Sequence, residues 1–217
     1  MSRLYDCADP QQRREGIAAA ARAAGDGDLV VLPTDTVYGI GANAFDAQAV
    51  AALLAAKGRG RDMPVPVLVG SWQTIDGLVF PVPDAARELI AAFWPGALSL
   101  VVRQVPSLMW DLGDSDGTVM LRMPLHPVAI ELLREVGPMA VSSANISGQT
   151  PAVQVDEAQR QLGESVAVYL NGGPSPRRAA SSIVDLSGPA PRILRAGPIS
   201  AAAIAEVLGV DAETLTR

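Results

Sequence analysis

One cysteine and one histidine are all that 217 residues offer of the two side chains most used to bind zinc. Cys7 alone can form neither an internal disulfide nor a cysteine-rich zinc site, and it reads as an inert thiol. His126 alone rules out a two-histidine metal centre and leaves a Ser-His-Asp triad thin. Beside Pro127 and ahead of a helical pattern, it reads as a structural or capping residue. Aromatic residues make up only 4% of the chain, and abundant alanine suits closely packed helices on a sheet, not an aromatic binding face. A basic excess is missing too: 17 Lys and Arg stand against 23 Asp and Glu, a formal net charge of −6. A wide nonspecific nucleic-acid surface normally needs the opposite balance, although a local basic pocket remains compatible with this one. No apolar run approaches the ~20 residues of a spanning helix, and Met1–Asp6 is polar with no apolar signal core. A cytoplasmic protein without membrane contact is expected. The nucleotide signatures G-x-G-x-x-G and G-x-x-x-x-G-K-[ST] are also missing.

What is present is an alternation of short apolar strands and alanine-rich helices, the pattern of one α/β domain over residues 1–217 with no repeat or dividing linker. Gln11–Ala24 reads as a helix stopped at Gly25, and Leu29–Leu32 as a buried strand. Asp46 is placed to cap a helix over Ala47–Lys57, with Gly58 just past its end. Further strands are expected at Pro66–Val69, Leu98–Arg103, Thr118–Met123, Met139–Val141, Val166–Leu170, Ile183–Leu186 and Arg192–Leu194. Helices are expected from about Asp84 to Phe93 and over Pro127–Glu135, Val155–Leu162 and Ser200–Leu208. Adjacent strands near the C-terminus imply a mixed parallel and antiparallel sheet with flanking helices.

Pro33-Thr34-Asp35-Thr36-Val37-Tyr38-Gly39-Ile40-Gly41 follows the first buried strand with no hydrophobic period. Open α/β sheets bind ligands beyond their strand ends, and Gly39 and Gly41 allow tight backbone geometry or close approach to a ligand. An ordinary turn is the bland alternative. Ser142-Ser143-Ala144-Asn145 repeats the arrangement after another apolar strand. Cations come from Lys57, Arg59, Arg122 and Arg195, and Arg122 lies in an otherwise apolar strand, where arginine needs a partner. Lys57 and Arg59 follow a helix end and are expected outside the core. Thr34, Thr36, Tyr38, Thr118, Ser142, Ser143, Asn145, Ser181 and Ser182 add hydroxyls and an amide, whereas Asp35 and Asp185 are the only motif carboxylates. Such a set suits positioning and neutralising a polyanion better than paired acid–base chemistry.

The stretch from Pro33 to Gly41 resembles the opening motif of the YrdC-like family, the threonylcarbamoyl-AMP synthases. Six further strings follow in the family's order, beginning at Lys57, Trp94, Val119, Ser142, Ser181 and Arg195. The resemblance covers Leu29 to Pro198 and implies a twisted mixed sheet with a large concave face, a motif-bearing core of about 29–198, and terminal helices as extensions. It is to the short form, without the extra C-terminal domain of longer members. It implies a nucleotidyltransferase that combines L-threonine, bicarbonate and ATP into threonylcarbamoyl-adenylate and pyrophosphate. Mg²⁺ would be bound mainly through the ATP phosphates, with no dedicated protein ligands. The product would pass to a tRNA threonylcarbamoyl transferase, and the acidic balance predicts weak or no direct tRNA binding by this chain.

By motif correspondence Thr36, Arg122, Ser181 and the backbone of Val141 would hold threonine. Arg59, Thr118, Ser143, Arg195 and the backbone of Met63 would contact ATP. Lys57, beside the reacting carbamate and phosphates, and Arg59 are the catalytic candidates. Thr34, Asp35, Tyr38, Ser142, Asn145 and Ser182 are further candidates, Asp35 either bonding its own turn or lying near the metal. Trp94-Pro95-Gly96 reads as architecture. Gly60, Ala97 and Ser182 depart from the family's usual residues without disturbing the charged set. The competing expectations are an RNA-binding YrdC-like paralogue, a paralogue altered for another carbamoyl or nucleotide substrate, and a hydrogenase-maturation carbamoyl-transfer domain.

Overall fold

Two aspartates start the first two helices in the same way. Asp9 Oδ1 accepts the backbone N–H groups of Gln11 and Gln12 at 2.9 and 2.8 Å, opening α1 (Pro10–Gly25). Asp46 Oδ1 accepts those of Gln48 and Ala49 at 2.9 and 3.0 Å, opening α2 (Ala47–Ala56). Each cap satisfies donors that have no partner inside the helix. The computed structural model describes residues 2–216. The later helices are α3 (Ile75–Leu78), α4 (Asp84–Phe93), α5 (Pro127–Val136), α6 (Val155–Leu162) and α7 (Ala201–Leu208).

The strands are β1 (Arg3–Asp6), β2 (Val30–Leu32), β3 (Gly39–Asn43), β4 (Val67–Leu68), β5 (Leu98–Arg103), β6 (Thr118–Arg122), β7 (Met139–Ser143), β8 (Val168–Asn171), β9 (Ser182–Asp185) and β10 (Arg192–Arg195). They form one ten-stranded sheet in the order β1-β8-β2-β3-β7-β4-β6-β5-β9-β10. The sheet is mixed, as expected: β8 runs parallel to both β1 and β2, while β3 is antiparallel to β2 and β7. At the other end β9 is parallel to β5 and antiparallel to β10. Two-residue β4 is the sole strand between β7 and β6 in this order.

Period-two alternation sorts the sheet into two cores. Val30, Leu32, Val168 and Leu170 face one side, which α1 and α5 cover with Ile17, Ala20, Ala24 and Leu132. Val31, Ile40, Leu121 and Tyr169 face the other, under Leu53, Leu89, Ala158 and Ile204 of α2, α4, α6 and α7. Alanine on α1 lets that helix lie close to the strands, the use the composition suggested.

Three elements differ from expectation. Arg3–Asp6 forms edge strand β1, held by main-chain pairing to β8 although its side chains are mostly exposed. The residues after Gly70, where no element is expected from the sequence, form a 3-10 turn (Trp72–Thr74) and α3. Gly39 and Gly41 belong to β3, not to a tight turn. A Cβ on Gly39 would lie 2.6 Å from Val141 Cγ1, and one on Gly41 3.1 Å from Met139 Cε. The glycines make room for side chains of the neighbouring strand β7. His126 occupies the N-cap position of α5, but its side chain makes no cap hydrogen bond, so it is structural and not a side-chain cap.

Candidate active site

The turn between β2 and β3 is shaped by its first threonine. Thr34 Oγ1 donates to the carbonyl of Val37 at 2.6 Å and accepts the N–H of Thr36 at 3.1 Å. These local bonds replace ladder bonds and turn Asp35 and Thr36 inward, where both are buried. Asp35 Oδ1 accepts the backbone N–H of Leu125 at 2.9 Å and pairs with Arg122 Nη2 at 2.5 Å.

Arg122 is thereby fixed at three points. Its Nε donates to the carbonyl of Gly96 at 2.8 Å and its Nη1 to Thr36 Oγ1 at 2.8 Å. Gly96 is itself placed by its N–H on the carbonyl of Met123 at 2.8 Å, and Trp94 Nε1 donates to the carbonyl of Leu98 at 2.8 Å. Trp94-Pro95-Gly96 is therefore architecture, and what it supports is the arginine. Burial pulls the Arg122 guanidinium below its ordinary value, and Asp35 opposes that shift.

These groups open onto a cleft of about 360 Å³, whose walls come from both sides of β4. Thr34, Thr36, Tyr38, Val141, Ser142 and Ser143 line it from the β2–β3 turn and from β3 and β7. Arg122, Ser181 and Arg195 line it from the other half, and Arg59 enters from the segment after α2. Arg59 Nη1 donates to Ser142 Oγ and Nη2 to the carbonyl of Pro64, both at 3.3 Å, while its buried Nε has no partner. Arg195 donates from Nε to the carbonyl of Ser181 at 2.9 Å and from Nη2 to Ser181 Oγ at 3.1 Å. Burial lowers the pKa of both arginines. Among the described residues neither has a carboxylate at salt-bridge distance. Two partly desolvated guanidinium groups with no carboxylate in contact face one cleft, Asp62 acting on Arg59 only from beyond salt-bridge distance, an arrangement that favours an anionic ligand.

Six candidates do not line the cleft, and each has its own bonds or position. Lys57 was expected outside the core and is instead 2% exposed. Its Nζ donates to the carbonyls of Ser143 and Asn145 at 2.5 and 2.7 Å, and its own carbonyl accepts the N–H of Ser147 at 2.8 Å. Lys57 thus ties the end of α2 to the loop after β7. Asn145 Nδ2 donates to the carbonyls of Ile146 and Gln149. Thr118 Oγ1 donates to the carbonyl of Ser115, and Ser182 Oγ bridges the N–H and carbonyl of Ile199. Asp35 is engaged with Arg122, and Met63 is 46% exposed on the surface. Tyr38 does line the cleft, but its hydroxyl turns away to donate to the carbonyl of Gly173 at 2.6 Å.

Ser99 is the cleft residue that sequence reasoning missed. It is 3% exposed, and its Oγ lies 2.8 Å from Ser181 Oγ. Its signal was a lone hydroxyl inside the apolar run Leu98–Arg103. Leu68, Met120 and Ile183 complete apolar walls that carry no sequence signal distinct from core. Among the described residues no group of three or more His, Cys, Asp or Glu is placed to hold a metal ion. No helix among the described residues is long and apolar enough to cross a membrane.

Burial sets opposing alkaline titrations. It pushes the Tyr38 and Tyr169 phenols up to about 12 from 10.0, and the Cys7 thiol up to about 11 from 9.0. It pulls the Lys57 amine down to about 8 from 10.5, with Arg59 adding to the shift. Between pH 8 and 10.5 the unfolded chain holds the lysine proton that the folded chain has lost, so this group adds stability as pH rises. The three acids work in reverse, Cys7 above pH 9 and the tyrosines above pH 10. Urea midpoints should rise slightly from pH 8 to 9, level off, and fall above pH 10. A midpoint still climbing at pH 11 would contradict these burials.

Comparison with known proteins identifies the family. The model of the Sua5, YciO and YrdC proteins, described as "Telomere recombination", matches residues 22–197. A relative from Mycobacterium tuberculosis named "Putative threonylcarbamoyl-AMP synthase" is 71% identical over 215 residues, covering 99% of both chains. The Bacillus subtilis threonylcarbamoyl-AMP synthase is 36% identical over 203 residues, 93% of this chain and 57% of that protein. The structure of Pyrococcus abyssi Sua5 complexed with L-threonine superposes with a TM-score of 0.88 at 30% identity, covering 96% of this chain and 61% of that one. Escherichia coli YciO shares the fold, with a TM-score of 0.81 at 22% identity over 91% of this chain and 97% of its own. With a family match over most of its length and full-length relatives of high identity, the chain belongs to the Sua5/YciO/YrdC family.

Proposed function

We propose that the cleft joins L-threonine, bicarbonate and ATP into threonylcarbamoyl-adenylate, releasing pyrophosphate. The observation that carries this is the pair Arg59 and Arg195, partly desolvated and without carboxylate partners on one cleft. The names of the full-length relatives and the threonine complex of the P. abyssi protein support the same reading. In it, Arg122, Thr36 and Ser181 with the Val141 backbone seat threonine, and Arg59, Ser143 and Arg195 hold the nucleotide. The threonine amine and bicarbonate condense to a carbamate with loss of water. A carbamate oxygen then attacks the α-phosphorus, and the bond to the β-phosphate breaks to release pyrophosphate. The cleft's arginines hold and neutralise these anions, as positioning chemistry requires.

Lys57 takes a different part from the one its motif implied. Its ammonium is occupied by two backbone carbonyls, so it acts by holding the Ser143–Ser147 loop in place. The residues lining the cleft offer magnesium hydroxyls but no carboxylate, and Asp35 nearby is held by Arg122. Mg²⁺ would therefore arrive coordinated mainly by the nucleotide phosphates, offsetting part of their charge. The product, made in the cytoplasm, would go to a separate tRNA transferase, and the net charge of −6 opposes direct tRNA binding at physiological salt.

Pyrophosphate release from ATP, with threonine and bicarbonate each omitted in turn, tests the proposal. Release should require both. Threonine-dependent release that ignores bicarbonate would indicate an ordinary amino-acid-activating enzyme instead. Tight, salt-resistant tRNA binding without turnover would favour the RNA-binding alternative.

A further inference from the structure

Residues 57, 59 and 61 supply three cations that leave the same short segment in three directions. Lys57 points into the core and Arg59 into the cleft. Arg61 points outward, to the loop between β5 and β6, and that loop is not part of the cleft lining. Its guanidinium grips Asp111 with both oxygens, at 3.0 and 2.7 Å, and its Nε lies 3.5 Å from Asp114.

The two segments are also joined through the backbone. Asp114 N–H donates to the carbonyl of Arg61 at 2.9 Å, and Val65 N–H to that of Leu112 at 2.8 Å. Gly113 sits between them with φ 104°, and a Cβ there would lie 2.8 Å from the Arg61 carbonyl oxygen. At the far end Trp110 stacks on Phe45, the residue before the α2 cap, with ring centroids 5.5 Å apart. The β5–β6 loop therefore grips both ends of the α2 unit.

One peptide group links this clasp to the cleft. The N–H of the Pro64–Val65 peptide is held by Leu112, and its carbonyl is the acceptor for Arg59 Nη2. A shift of the β5–β6 loop moves that peptide and, with it, the support of the Arg59 guanidinium. We propose that Arg61, clasped by Asp111 and Asp114, is a positioning residue that sets Arg59 for the anionic ligand of the cleft. The inference deepens the nucleotide role assigned above to Arg59 and rests on it.

A double-mutant cycle on steady-state turnover tests it. Arg61→Ala should raise the ATP KM by about fivefold, the upper range for an exposed ion pair, and leave the threonine KM unchanged. In an Arg59→Ala background the same substitution should add nothing, because its route of action is gone. Exchanging the charges, Arg61→Asp with Asp111→Arg, should restore most of the loss. Gly113→Val, which crowds the Arg61 carbonyl without removing a charge, should reproduce the ATP defect. Arg61→Ala effects of equal size with and without Arg59, or equal effects on threonine and ATP, would overturn the proposal. So would an unchanged ATP KM in Arg61→Ala. Those failures arise only in the variants, whereas a parent that consumes no ATP would overturn the functional reading together with this one.

Discussion

Arg122→Ala should lower stability by about 3–5 kcal/mol and abolish threonine-dependent turnover. Arg122 and Asp35 are 7% and 2% exposed, so removing the arginine leaves a carboxylate buried without its main counter-charge. It also strips donors from the Gly96 carbonyl and from Thr36 Oγ1. Arg177 Nε, 3.8 Å from Asp35 Oδ2 on a half-exposed side chain, offsets little of this. Arg122→Lys should not rescue, because one ammonium cannot span acceptors arranged for a planar fork. Replacing the whole pair, Arg122→Met with Asp35→Leu, separates the two effects. Stability should exceed that of Arg122→Ala, since apolar substitutes for buried ion pairs are often tolerated, while the Leu125 N–H and the Gly96 carbonyl stay unpaired. Turnover should stay absent if Arg122 seats threonine as proposed. Urea unfolding and pyrophosphate release measure the two quantities. An Arg122→Ala protein as stable as the parent would show that the buried pair carries no such weight.

Lys57→Ala should destabilise the protein and only secondarily slow it. The carbonyl of Asn145 loses its donor in a site closed to water, at about 1–3 kcal/mol, while that of Ser143 keeps only the N–H of Asn145. Truncating a fully buried four-carbon stem adds a cavity on top of that. Lys57→Met, which refills the volume without the donor, should recover part of the loss. At a temperature where the variant stays folded, the ATP KM should rise as the Ser143–Ser147 loop loosens. The fall in kcat should stay well short of the roughly 10²–10³ expected when a stabiliser of the reacting atoms is removed. Full stability combined with a kcat loss of that size would return Lys57 to the reacting centre.

The difference between Lys57 and Arg59 marks where sequence stops informing structure. Both follow a helix end, two residues apart, and spacing cannot say which one turns inward once the helix has ended at Ala56. The strands carrying alternating or continuous apolar residues were legible, as was the helix announced by its Asp46 cap. Strand β1 was not, because its pattern is mostly exposed and its pairing is a main-chain property. Strand β3 was hidden by its glycines, which resemble a turn until Val141 is seen to fill the space they leave. At the site, hydroxyls at strand ends were readable as a group. The bonds that sort them into cleft lining and internal struts join residues far apart in the chain, such as Arg122 with Thr36 and Ser182 with Ile199.

Two-residue β4 has a mechanical consequence. The sheet is in effect a five-strand panel, β1-β8-β2-β3-β7, and a four-strand panel, β6-β5-β9-β10, stitched through Val67 and Leu68 and the flanking main-chain bonds of Pro66 to Val141 and Val69 to Arg122. The cleft straddles that seam, with Val141, Ser142 and Ser143 on one panel and Arg122, Ser181 and Arg195 close to or on the other. A ligand held by both sets is a splint across that short seam. Its binding energy then serves twice, once to hold the reactants and once to set the angle between the surfaces that hold them.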